Sequence, residues 1–283
     1  MLAIVTDSTC DIPGSELEDL DVHRVPLYVA FQGKTHRDWI DITPKDIVAG
    51  VDAGADLPST SQPSPEDFAQ AYRTAAEAGA TEILVVCISS ALSGTFQSAN
   101  LAAKEAAVPV SIVDSLGASA GVGALVRHAA KMRAEGAALA DIVATLESMK
   151  PHQLVLFSVG TLDYLVKGGR LGRASALLGG LLNIRPILTL VEGKIVPAAK
   201  ARGTKKAIAE IVDRVKAHAA AHPGRLALDF LHIQDAAAAD KLRQAIADAG
   251  VASEVGQVYE LGAVIAAHVG PGTFGVYAHV LPD

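Results

Sequence analysis

Three short apolar runs in the first half of the chain end in hydroxyl or carboxylate residues. Residues 2–5 run into Asp7-Ser8-Thr9, residues 83–88 into Ser89-Ser90, and residues 111–113 into Asp114-Ser115. Their length and β-branched content predict strands, with 83–88 (ILVVCI) buried on both faces. The alanine-rich, proline-free stretch 98–107 predicts a helix, so a hydroxyl-rich turn stands between it and the strand before it. Residues 118–134 and 138–149 predict two more helices, the second stopped by Pro151. Residues 22–31 predict a further strand, closed by a turn at Gln32-Gly33-Lys34. Residues 57–65 (LPSTSQPSP) hold three prolines and four hydroxyl residues, which excludes helix interior and central strand and predicts a rigid loop. Pro65-Glu66-Asp67 then opens a helix to about residue 77.

Beyond Pro151 the pattern changes. Strands are predicted at 154–159, 187–191, 194–199 and 226–233, alternating with helices, and Glu192-Gly193 reads as a tight hairpin turn. The fold class is therefore α/β in two domains: 1–150 with a mainly parallel sheet, and 151–283 with a mixed sheet containing antiparallel strands.

Half of the 283 residues are hydrophobic but only 4% are aromatic, so the core is built from aliphatic side chains. A net charge of −7 excludes a general nucleic-acid binder. Cys10 and Cys87 form neither a CxxC nor a zinc spacing. The amino terminus reaches Asp7 too soon for a signal peptide, and no apolar run approaches the roughly 20 residues of a membrane span. A cytoplasmic protein is expected. The charge is unevenly spread: residues 164–206 carry nine Lys or Arg against one acid, Glu192. That segment is +8 and the remainder −15. Within it, 166–183 combine Lys167, Arg170 and Arg173 with a glycine-hinged apolar run. A basic rim beside a flexible cover fits this composition, and so does a solvated helix start followed by a core helix.

Candidate chemistry lies at the strand ends, where open α/β sheets place their ligands. Ser89, Ser90, Ser93 and Thr95 follow the second strand, and Gly94 admits close backbone approach beside the first N–H groups of a helix. Ser93 or Thr95 as a plain helix cap fits the same residues. Asp7 and Asp114 read as caps or as site residues, and Thr60 in the stiff loop is a preordered donor. His218 and His222 stand four apart with no third ligand, so no metal is expected. Trp39 reads as a packing anchor. His268, between an apolar segment and Gly270-Pro271-Gly272, is either a satisfied core residue or a hydrogen-bonding and proton-shuttling group. Neither a phosphate-binding G-x-x-x-x-G-K-[ST] loop nor a kinase signature set occurs, so the chain is not expected to hold ATP or another cofactor.

Several stretches together resemble the DegV family: IVTDSTCDIP (4–13), TSQPS (60–64), SSALSGTFQSA (89–99), VDS (113–115), GGR (168–170), LNIRPIL (182–188), KARGTKK (200–206) and HVGPG (268–272). The resemblance runs from end to end of the chain. It implies two α/β domains with a long-chain fatty acid held between them, and a binding subunit, not an enzyme, that presents the carboxylate to a separate ATP-dependent fatty acid kinase in phospholipid metabolism. By resemblance Thr60, Ser93 and Gly94 fall at the carboxylate, His268 matches a histidine linked to that network, and Arg170, Arg173 and Arg202 fall in motifs associated with the kinase partner. Transient membrane contact is compatible with such a role. Trp39 departs from the family, where glycine is common, and Arg185 stands where lysine is frequent. A stand-alone fatty-acid carrier or sensor is the alternative. A hydrolase using Ser93, His268 and Asp7 or Asp114 is a third reading, although Ser93 lacks a G-x-S-x-G elbow.

Overall fold

The computed structural model describes residues 1–172, 184–222 and 224–281. Its chain divides into two compact units, Met1–Ile42 with Thr60–Lys150, and Thr43–Ser59 with Pro151–Asp283. The second unit thus takes in Thr43–Ser59, a segment that a single boundary at residue 150 assigns to the first.

In chain order the strands of the first unit are β1 (Leu2–Asp7), β2 (Val22–Val25), β3 (Tyr28–Phe31), β4 (Lys34–Arg37), β5 (Ser59–Ser61), in which the chain re-enters this unit, β6 (Glu82–Cys87) and β7 (Val110–Asp114). A parallel sheet runs in the order β2-β1-β6-β7. Alternation along its strands feeds two aliphatic layers. Ile4, Leu84, Val86 and Val113 face a cluster with Val122, Leu125, Ile142 and Leu146, contributed by α5 (Ala120–Ala134) and α6 (Leu139–Met149). Ala3, Val5, Ile83 and Val85 face Phe68, Tyr72 and Ala99, from α3 (Pro65–Glu77) and α4 (Thr95–Ala103). Because both faces are covered, β6 reads as an unbroken apolar run. Complete burial of one such Val or Leu side chain contributes about 1.5–3 kcal/mol. The short helix α1 (Gly14–Asp19) follows the turn after β1.

One expected strand divides. Residues 22–31 are interrupted at Pro26, which cannot donate to a ladder; β2 stays in the parallel sheet while β3 turns into a small second sheet of order β4-β3-β5. β5 is an edge strand there, the one place where a strand of the proline-rich loop is tolerated.

The second unit carries β8 (Gln153–Ser158), β9 (Ile184–Val191), β10 (Lys194–Arg202), β11 (Leu226–Ile233), β12 (Ser253–Glu260) and β13 (Thr273–Val280) in one mixed sheet of order β10-β9-β8-β13-β11-β12. Glu192 and Gly193 turn the β9–β10 hairpin with φ of 50° and 72°, the two positive values of a type I′ turn. One sheet face, with Leu156, Ile187, Leu228, Phe230 and Val276, packs on Ile211, Val215, Leu242 and Ile246 of α8 (Gly203–Ala221) and α9 (Ala236–Asp248). The helix α10 (Ala263–Val269) packs against α7 (Asp163–Lys167) and against α2 (Pro44–Asp52). That last contact explains why Thr43–Ser59 belongs here. Thr43 starts α2 with a capping box closed by Asp46, and Ile47 and Val48 are buried.

Candidate functional site

In the first unit the three strand ends are tied by carboxylates. Asp7 Oδ1 accepts from the Thr9 amide (2.9 Å) and hydroxyl (2.5 Å), and Oδ2 from the Ile88 amide at 2.7 Å. One fully buried side chain therefore caps the turn after β1 and pins the end of β6. Burial pushes the Asp7 carboxyl above its ordinary value, against the opposing pull of these three bonds. Asp114 does the same for β7, accepting from the amides of Ser90 and Leu116. Both carboxylates accept from backbone amides, the capping reading of the two residues.

Ser93 and Gly94 sit in the turn between β6 and α4. The Ser93 hydroxyl lies 2.8 Å from that of Thr95. Gly94 occupies the N-cap position of α4 with no side-chain cap. A Cβ on Gly94 would fall 1.9 Å from Gln62 Oε1, and Gln62 Nε2 donates to Ser98 Oγ at 3.0 Å. The missing side chain of Gly94 is therefore filled by Gln62, which brings the TSQPS loop directly onto the LSGT turn. Thr60, partly buried in β5, and Ser93 belong to these two abutting segments. Ser64, last of that loop, acts elsewhere, forming the capping box of α3 with Asp67. Gln62 is the participant that sequence reasoning missed, since a glutamine in a proline-rich loop has no periodicity to mark it.

His268 lies in the second unit, on α10, and the glycines of two motifs are shaped around it. A Cβ on Gly168 would stand 2.2 Å from His268 Nδ1, and one on Gly270, whose φ is +70°, would stand 2.5 Å from the Tyr164 ring. The GGR and HVGPG stretches thus meet in one corner. Arg170 Nη1 donates to the Gly168 carbonyl at 2.7 Å. Arg185 Nη1 donates to the Gly272 carbonyl at 2.8 Å and stacks over Phe274 at 5.7 Å, a structural use of the guanidinium. Burial, and secondarily the Arg170 charge, holds His268 down at about 4. At neutral pH it is an uncharged imidazole, able to hydrogen-bond but not to serve as a counter-ion. Arg202 is exposed at the end of β10. Arg173, and with it residues 173–183 of the glycine-hinged run, lies outside the described residues.

Trp39 has φ +65°, the left-handed region in which glycine is at ease. The loop therefore keeps a glycine-like shape although the side chain differs. Trp39 Nε1 donates to Asp11 Oδ1 at 3.3 Å, and Arg24 stacks 5.5 Å from the ring centre, so it does anchor packing. No group of three or more His, Cys, Asp or Glu among the described residues is arranged to hold a metal. His218 and His222 spend ring nitrogens on the carbonyls of His152 and His218.

The family model described as "Uncharacterised protein, DegV family" matches residues 1–280. The chain belongs to the DegV family. A DegV domain-containing protein of Deinococcus radiodurans is 42% identical over 97% of both chains. A protein of Thermotoga maritima described as a fatty acid-binding protein is 35% identical over 98% of this chain and 97% of its own. A solved structure described as fatty acid binding of a DegV family protein from Thermus thermophilus is 48% identical, covers 99% of both chains and superimposes with a TM-score of 0.95. The DegV fold, a parallel sheet followed by a mixed one, is the architecture expected from the apolar pattern. Among the described residues no helix is long and apolar enough to cross a membrane.

Proposed function

We propose that this DegV protein binds a long-chain fatty acid, with Thr60 and Ser93 donating to its carboxylate beside Gly94, and presents that carboxylate to a separate ATP-dependent kinase. The carrying observation is the seating of Gln62 against Gly94, which sets two hydroxyl-bearing segments side by side at the carboxyl end of β6. Similarity to a Thermus thermophilus protein described as fatty-acid-binding supports the choice of ligand. Hydroxyl donors suit such a role physically. They hold a carboxylate without neutralising it, so one of its oxygens keeps the nucleophilicity to attack the γ-phosphorus of ATP, with ADP leaving and an acyl phosphate formed. Affinity comes from the chain, at about 0.8 kcal/mol per buried methylene. Arg170 and Arg202 contribute to docking of the kinase, which supplies the nucleotide site.

The test is direct. Protein purified under native conditions is denatured and extracted with organic solvent, and the extract is analysed by mass spectrometry. A long-chain fatty acid approaching one per chain is expected. An extract without fatty acid, from protein that also fails to take up added oleate, would refute the proposal.

A further inference from the structure

Ser119 combines two unfavourable features in one residue. Its backbone, φ 53° and ψ −125°, lies where only glycine is unstrained. The residue is 5% exposed, and its Oγ, enclosed at the first turn of α5, meets no donor or acceptor among the described residues. A serine in this position ordinarily caps the helix by accepting from an amide of the first turn. Here no such bond forms; the Val122 and Gly123 amides are bonded instead to the Ser119 carbonyl. Glycine would relieve the strain and remove the stranded hydroxyl together. A buried donor that opposes stability in both ways calls for a partner beyond the described residues, and a bound ligand can be that partner.

The surroundings indicate which partner. Ser119 ends the loop after β7, and that loop is fastened to the Ser93 turn: the Ser89 amide donates to the Gly117 carbonyl at 2.8 Å, and the Ser93 amide to the Ser89 carbonyl at 3.1 Å. Leu92 and Ala118, the residues before Ser93 and Ser119, join one apolar cluster with Ile88 and Val122. The helix itself is held firmly, because Gly123 approaches the Cys10 carbonyl so closely that a Cβ would lie 2.8 Å away. Fifteen residues of aligned peptide dipoles in α5 make its first turn a favourable place for negative charge.

We propose that the Ser119 hydroxyl is a further ligand-binding group of the first unit, donating to a carboxylate oxygen of the bound fatty acid at the positive end of α5. This rests on the fatty-acid reading above.

Radiolabelled oleate binding and lipid-free melting temperature are measured for wild type, Ser119→Ala, Ser119→Gly and Ser93→Ala. Both Ser119 variants should retain oleate ten- to a hundredfold more weakly, the loss of a charge-assisted hydrogen bond. Their lipid-free melting temperatures should be unchanged or raised, most for glycine, because no described residue satisfies the hydroxyl in the unliganded chain. A merely structural serine would give the reverse, a lowered melting temperature with unaltered affinity. Wild-type affinity in Ser119→Gly, with Ser93→Ala impaired, overturns the assignment and leaves the fatty-acid reading standing. Failure of wild type to bind oleate overturns both. Should Ser119→Ala fold poorly, the glycine variant decides.

Discussion

Lowering the pH from 7 to 5 should destabilise the wild type by about 2 kcal/mol more than it destabilises a His268→Gln variant. The folded chain holds His268 near 4, against 6.5 for a free imidazole, through burial first and the Arg170 charge second. At pH 5 the unfolded chain therefore binds a proton that the folded chain refuses, and the unfolded state gains. The contribution is fully present above about 6.5, falls as pH drops through the window between 6.5 and 4, and changes no further below it. Ten-fold changes in proton activity are worth about 1.4 kcal/mol each across that window, which gives the quoted figure. Glutamine keeps a neutral hydrogen-bonding group of similar reach and removes the titration. Urea unfolding at pH 7, 6 and 5 for both proteins measures the difference, and the ring-proton resonance of His268 in an NMR titration reports the group itself. An Arg170→Gln variant should move that resonance's midpoint upward only part of the way, since burial is the larger cause. A wild-type midpoint near 6.5, or parallel pH slopes in the two proteins, would refute the reasoning.

Three other outcomes follow from contacts described above. Gly94→Ala pushes Gln62 off the turn; its φ of −74° accepts alanine, so stability should fall by less than about 1 kcal/mol while oleate affinity falls several-fold, and equal affinity would show that the two segments need not abut. Asp7→Ala strands the buried amides of Thr9 and Ile88 and should cost about 2–4 kcal/mol in denaturant unfolding, with a cost under 1 kcal/mol showing that the strand ends are held by something else. Arg202→Ala should leave oleate binding within twofold of wild type and slow acyl-phosphate formation with a cognate kinase, because an exposed charge acts on docking; unchanged turnover would place the kinase elsewhere.

Local pattern made some parts of this protein readable and left others hidden. The strand ends at Asp7, Ser89 and Asp114 were visible because strands buried on both faces are unbroken apolar runs, and the first polar residue marks where they surface. The start of α3 was visible in Pro65-Glu66-Asp67, whereas its cap, Ser64, emerged only with the structure. In contrast β13 sits at the middle of the second sheet, yet TFGVYAHV carries no clean alternation. It is specified by pairing on both sides with β8 and β11, where Gly275 comes so close to the Leu156 carbonyl that a Cβ would fall 2.6 Å away. Gly94 invited the idea of a close approach, and the tertiary neighbour that its missing side chain admits, Gln62, could not be read from the local sequence. The corner around His268 was legible as two separate motifs; that Gly168 exists to make room for the imidazole is a tertiary fact with no local trace.

The placement of Thr43–Ser59 in the second unit has a consequence in time. During synthesis α2 is made early, but α10, against which it packs, is completed only at Val269. At about 5–20 residues per second the interval is roughly 10–40 s. For that period Ile47 and Val48, buried in the finished protein, have no settled place, while the residues on either side of the segment are free to assemble the parallel sheet. A fragment ending at residue 150 would make this waiting state permanent, with an amphipathic helix left seeking a partner.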